Sequence, residues 1–169
     1  MNKLIMIAAV GKNRELGYKN NLIWRLKEDM MHFKNTTINH HVLMGENTYI
    51  SLEKPLPNRI NMVLSNSGKK YPDDVLVFNS IEEFDNKRKD IKDDIYIIGG
   101  ASIYKEFIDK CDILLLTNIN DTTKFCDVYF PKFNKKNYTL EVIKESKDST
   151  PSFSIVKYIK KDKWLFNNF

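Results

Sequence analysis

The stretch "NNLIWRLKEDMMHFK", residues 20–34, sets one carboxylate among apolar neighbours. Leu26, Met30 and Phe33 recur at spacings of four and three, a helical period. At about 100° per residue those side chains fall within about 60° of one another, and Asp29 lies about 40° from Phe33. Asp29 is therefore on the margin of the apolar stripe, not on the opposite, solvated face. Desolvating a carboxylate there is costly unless something pairs with it. Two readings compete. In one, Asp29 and Glu28 are first-turn charges that complement the helix dipole. In the other, Asp29 is held in a pocket for a ligand.

Glycine is the second chemical signal. "HVLMGENT" ends an apolar run at Gly45 and opens a helix at Glu46, Asn47 and Thr48, while "IYIIGGAS" ends another at Gly99–Gly100 before Ala101. Glycine allows close backbone approach, and a helix N-terminus offers unpaired N–H groups to a phosphate. Two such turns in one chain favour a ligand carrying a pyrophosphate. Other chemistries find no support. "GKNRELG" at 11–17 lacks the dinucleotide pattern G-x-G-x-x-G, "SGKK" at 67–70 lacks P-loop spacing, and no G-x-S-x-G is present. His32, His40 and His41 have no metal-site spacing and read as surface or loop residues, so no metal is expected.

These residues need a scaffold. Short apolar runs occur at 4–10, 41–44, 60–65, 75–78, 95–98 and 113–119, and they suit strands buried on both faces. Helical patterns lie between them at 26–36, near 46–53, at 80–89 and at 101–110, with Ser80 and Glu83 forming a capping box. Such alternation predicts an α/β fold: a mostly parallel sheet with flanking helices. "YTLEVIKE" and "FSIVKYIK", joined by "SKDSTPS", predict a C-terminal antiparallel hairpin. Pro55 and Pro57 stiffen the loop "LEKPLPNR".

With 169 residues, 42% of them hydrophobic, the chain can bury one core. The reading is a domain over 1–160 and an aromatic-rich extension over 161–169 of unknown role, which packs on it or meets a partner. A net charge of +5, from 27 basic and 22 acidic residues, suits anionic small molecules, and the scattered lysines form no nucleic-acid patch. Cys111 and Cys126 read as reduced thiols. The opening "MNKLIMIAAV" reads as a buried strand, and no run approaches the roughly 18 apolar residues of a membrane helix. A cytoplasmic monomer that binds neither membrane nor nucleic acid is expected.

The ordered set "IAAV", "LGYKNNLIWRLKEDMMHFK", "HVLMGENTY", "PLPNR", "VLSN", "IIGGASIY", "LLTNI" and "DVYFP" resembles dihydrofolate reductase from end to end, the last residues apart. The resemblance implies an eight-stranded sheet and NADPH-dependent reduction of 7,8-dihydrofolate to tetrahydrofolate. It implies that Asp29 receives the pterin ring, that Thr117 hydrogen-bonds its carboxylate, that Trp24 holds an ordered water and that Tyr104 lies beside the nicotinamide. Ile7, Met30, Phe33, Leu56 and Ile98 would line the substrate pocket, with Lys34 beside it and Arg59 gripping the glutamate carboxylate. For the cofactor it implies Ala9, the loop bearing Glu15, Leu16, Gly17 and Asn20, and the turn at Gly45, Glu46, Asn47 and Thr48. Leu64, Ser65 and Asn66 would complete that side together with Gly99, Gly100, Ala101, Ser102 and Ile103. Asp127 matches an acid that orders the loop over the site.

Three positions depart from the family pattern. Ile23 stands where proline is usual, Glu46 where an arginine commonly meets the cofactor's adenosine phosphate, and Ser102 where some members have a basic residue. A narrower preference for NADPH over NADH is expected. A reductase of a ribosylated aminopyrimidine and a non-catalytic nucleotide-binding protein are the competing readings. The "PLPNR" arginine and the pairing of Trp24 with Asp29 argue against the first, and both glycine turns against the second.

Overall fold

A computed structural model describes residues 2–162, so the extension expected over 161–169 lies, from 163 onward, outside the described residues. The chain begins with β1 (Leu4–Val10), β2 (Glu15–Tyr18), β3 (Asn21–Leu22), α1 (Lys27–Thr37), β4 (His41–Gly45) and α2 (Glu46–Leu52). It continues through β5 (Ile60–Leu64), β6 (Leu76–Phe78), α3 (Ile81–Lys87), β7 (Ile95–Gly99) and α4 (Ala101–Phe107). The last elements are β8 (Ile113–Ile119), β9 (Val128–Tyr129), β10 (Tyr138–Ser146) and β11 (Phe153–Lys160).

Eight strands form one sheet in the order β10-β11-β8-β1-β7-β4-β5-β6. Every pairing from β8 to β6 is parallel, and β11 runs antiparallel to both neighbours, so the hairpin extends the sheet as expected. Alternation along each strand sorts side chains between two faces. Met6, Leu43, Met62, Ile97 and Leu116 join Phe84 of α3 and Phe107 of α4 in the larger core. The other face carries two smaller clusters. Tyr49 of α2 packs with Val42, Met44 and Val63, while Trp24 and Leu26 pack with Ile119, Phe153 and Ile155. Ile7 and Ile98, from the adjacent strands β1 and β7, lie between those clusters in the sheet order. A cleft thus opens on this face between α1 and α2.

Several boundaries differ from expectation. The helix expected over 80–89 ends at Lys87 and tightens into a 3-10 turn at Arg88–Asp90. Ser80 Oγ accepts from Glu83 N at 3.0 Å as expected, but the Glu83 carboxylate accepts from Asn79 N, one residue earlier than a capping box requires. The loop expected over 15–21 contains strands: β3, β2 and β9 form a separate antiparallel sheet. His32 lies within α1 and His41 opens β4, so neither is a loop residue.

Candidate active site

The two first-turn acids of α1 diverge. Glu28 faces outward and pairs with Lys144 of β10 at 3.0 Å. Asp29 turns toward the sheet, where Thr117 of β8, only 2% exposed, donates its hydroxyl to Oδ1 at 2.5 Å. Among the described residues Oδ2 accepts no hydrogen bond. Burial pushes the Asp29 pKa up, opposed by the Thr117 hydroxyl and by His32. His32, one turn along, is itself pushed down by burial, and its Nε2 is buried without a hydrogen-bond partner. The flanking stripe is not core: Met30 is 49% exposed, Leu26 and Phe33 are half-buried, and α1 buries only Thr37. It forms one wall of the cleft, with exposed Lys34 beyond it.

The floor and far wall come from the sheet and the proline loop. Ile7 is buried and Ile98 half-buried, while Leu56 and Ile98 both pack against the cluster around Tyr49 of α2. Asn61 braces the proline loop by accepting from Leu56 N and donating to the carbonyls of Leu56 and Arg59. Arg59 is half-buried, and its Nε has no hydrogen-bond partner. Tyr104 differs from a solvent-facing catalytic phenol. It is 5% exposed, it donates to the Ile7 carbonyl at 2.7 Å, and burial drives its ionisation upward. It is a fixed, protonated wall and not an acid that titrates.

The small sheet begins just beyond the carboxyl end of β1. Asp127 N donates to the Gly17 carbonyl at 3.0 Å, and Lys19 N donates to Asp127 Oδ2 at 2.9 Å. Asn20 occupies the exposed β2–β3 turn with φ 62°. Two expected contacts point elsewhere. Glu15 is 1% exposed, and its carboxylate accepts from Thr122 Oγ1, Thr123 N and Asn13 N. Its carboxylate braces the loop. The single N–H of Trp24 donates to Asp121 Oδ2 at 2.9 Å. Sequence reasoning missed Asp121, Thr122 and Thr123. The one signal was Gly11, where a Cβ would lie 2.5 Å from the Trp24 ring and 2.9 Å from Glu15 Oε1.

The glycine turns interlock on adjacent strands. A Cβ on Gly45 would lie 2.9 Å from Ile103 of α4, and one on Gly100 would lie 3.3 Å from Thr48 Oγ1 of α2. Gly99 has φ 123° and abuts Tyr104. Neither α2 nor α4 has a side-chain N-cap, so the first-turn N–H groups beside Asn47, Ala101 and Ser102 keep no side-chain acceptor. Half-buried Ala9 is the next-to-last residue of β1, and Leu64 leads β5 to Ser65 and Asn66. Leu16 packs against the larger core. Two cavities of about 480 and 500 Å³ lie elsewhere, lined by Gly11, Lys12 and Lys135. Asn118 lines both, and neither Asp29 nor Thr117 lines either. Among the described residues no cluster of His, Cys, Asp and Glu is placed to hold a metal, and His40 and His41 both face Asp93.

Fold and cleft together are those of an α/β protein that takes its ligands across the carboxyl ends of its strands. The dihydrofolate reductase family model matches residues 3–160. Dihydrofolate reductase of Buchnera aphidicola is 40% identical over 134 residues, covering 79% of this chain and 81% of that protein. The bifunctional dihydrofolate reductase-thymidylate synthase of Paramecium tetraurelia is 42% identical over 130 residues; the match covers 75% of this chain and 28% of that longer protein. Among solved structures, dihydrofolate reductase from Enterococcus faecalis, complexed with NADP(H) and RAB-propyl, aligns with a TM-score of 0.83 at 27% identity. That match covers 95% of this chain and 97% of the other. The chain belongs to the dihydrofolate reductase family.

Proposed function

We propose that this chain, an NADPH-dependent oxidoreductase of the dihydrofolate reductase family, reduces 7,8-dihydrofolate to tetrahydrofolate in the cleft beside Asp29. The carrying observation is the Thr117–Asp29 hydrogen bond. It fixes a half-buried carboxylate and favours its ionised form, leaving Oδ2 without a partner among the described residues. A pterin edge offers two adjacent N–H donors, which an ionised carboxylate matches with two acceptors. Negative charge held there stabilises the ring when its neighbouring nitrogen gains a proton from solvent.

The residues present fit the cofactor. Gly45 and Gly100 leave room where a Cβ would close the gap between α2 and α4, and uncapped N–H groups face the same gap. NADPH, when bound, supplies the hydride. Ile7, Phe33, Leu56 and Ile98 exclude water and hold the pterin flat, while Tyr104 keeps the β1 backbone in place behind them. Arg59 meets a substrate carboxylate at the cleft rim. The Asp127 and Glu15 bonds hold the β2–β3 hairpin over the mouth.

The same reading makes the protein a cytoplasmic monomer that acts on a small molecule and binds no nucleic acid. Its cysteines are free thiols, and no described helix is long and apolar enough to cross a membrane. The test is consumption of NADPH on adding dihydrofolate, with tetrahydrofolate identified as product. Consumption with a ribosylated aminopyrimidine and none with dihydrofolate would replace this reading by its competitor.

A further inference from the structure

Strands β4 and β5 run side by side with Gly45 opposite Leu64, so Glu46 and residues 65–67 are the next groups out of the sheet. These groups converge. Ser67 Oγ donates to Glu46 Oε1 at 2.6 Å, and the Tyr71 hydroxyl donates to the same oxygen at 3.0 Å. Ser65 Oγ lies 3.2 Å from Ser67 Oγ and accepts from Ser67 N at 3.3 Å. Lys69 adds its charge nearby, and the hydroxyl donors, Ser67 first, hold the Glu46 carboxyl below the usual range. Such a ring of hydroxyls and a cation is what a phosphate would use. Here its anion is a carboxylate of the chain itself.

The cleft sets which part of a dinucleotide meets this ring. The hydride-bearing end belongs beside Asp29 and Ile7, and the pyrophosphate belongs at the interlocked turns of Gly45 and Gly100. On the reductase reading the adenosine end would extend from those turns past β4 toward the end of β5, the next strand in the sheet, where Glu46 and Ser67 stand. An acid at that place accepts a hydrogen bond from a ribose 2′-hydroxyl, whereas a 2′-phosphate calls for a cation.

We propose that Glu46 is a resident anion that sets cofactor specificity. It fills the hydroxyl ring a 2′-phosphate would need and accepts from a ribose 2′-hydroxyl, so the protein takes NADH with an affinity close to that for NADPH. This rests on the reductase reading for the direction in which the dinucleotide lies. Lys69 and exposed Lys70 offset the repulsion only in part, and salt weakens them.

The experiment measures dissociation constants of NADPH, NADH, adenosine 2′,5′-bisphosphate and AMP at low and high salt, for the wild type, Glu46→Gln and Ser67→Ala. In the wild type NADPH and NADH bind within about tenfold of each other. Glu46→Gln tightens NADPH and the bisphosphate about tenfold at low salt and weakens AMP and NADH severalfold, since the amide is a poorer acceptor for the 2′-hydroxyl, while an unchanged melting temperature shows that the variant is folded. Ser67→Ala, which frees the carboxylate but keeps its charge, does not tighten the bisphosphate. A wild type that binds NADPH about a thousandfold tighter than NADH overturns the proposal, as does a Glu46→Gln variant that shifts all four ligands alike. Lack of dihydrofolate-dependent turnover with either dinucleotide would instead overturn the reductase reading, since these binding ratios need no turnover.

Discussion

Thr117 Oγ1 lies 2.5 Å from Asp29 Oδ1, although 88 residues separate the two in the chain. β8 and α1 meet at this bond, and it opposes the burial that raises the carboxyl's pKa. Thr117→Val removes the donor and keeps the shape. The Asp29 pKa then rises further, and the acid limb of the pH profile of kcat/KM moves to higher pH. The lost bond costs about 1–2 kcal/mol of stability. An unmoved limb would separate Thr117 from the titration of Asp29.

Asp29 also carries a stability cost with a definite sign. Its pKa is raised above the ordinary 3.8, so the folded protein binds this proton more tightly than the unfolded chain does. Stability therefore falls as pH rises from the ordinary carboxylate range through the folded pKa, and the loss persists above it. Asp29→Asn carries no such loss. It melts a few degrees higher than the wild type at neutral pH, and the gain disappears below the ordinary carboxylate range. Melting scans across pH check this, and a variant that melts lower at neutral pH contradicts it.

Arg59→Leu removes a half-buried guanidinium whose Nε is unpartnered. A charged bidentate bond is worth about 1.5–3 kcal/mol, so KM for dihydrofolate rises about ten- to a hundredfold. A pterin without the glutamate tail shows little change. Equal losses for both substrates would place Arg59 outside the substrate's reach.

Tyr104→Phe tests a phenol that is buried, protonated and bound to Ile7. Leaving a buried carbonyl without that donor costs about 1–2 kcal/mol in denaturant unfolding. The pH profile of turnover keeps its shape, because burial already holds the hydroxyl protonated. A vanished alkaline limb would make Tyr104 a titrating acid after all.

Much of the scaffold was legible because continuous apolar runs are what a sheet covered on both faces requires. The run at 4–10 and the hairpin strand at 153–160 match β1 and β11 to the residue. The β2–β3–β9 sheet was not legible, for two reasons. Its strands are two to four residues long, and its hairpin turns on Lys19 and Asn20, both at positive φ, without the glycine that usually marks such a turn. The stripe of Leu26, Met30 and Phe33 has the period of a packed helix but walls a cleft, and period alone cannot separate core from cleft. Asp29 was visible as an oddity. Its pairing with Thr117 came from family resemblance, since no local pattern links residues so distant in the chain. The bonds of Trp24 to Asp121 and of Glu15 to Thr122 are equally non-local, and Gly11 was their one trace.

The central claim is that the Asp29 carboxylate holds the pterin and stabilises its protonated form. Single-turnover oxidation of NADPH by dihydrofolate, followed across pH in the wild type and in Asp29→Asn, tests it most directly. The amide presents one acceptor where two are needed, so the hydride step at neutral pH falls by about a hundredfold or more. It recovers in part as pH falls and solvent protonates the substrate. A variant that keeps the wild-type rate at neutral pH, with the same pH dependence, would contradict the account.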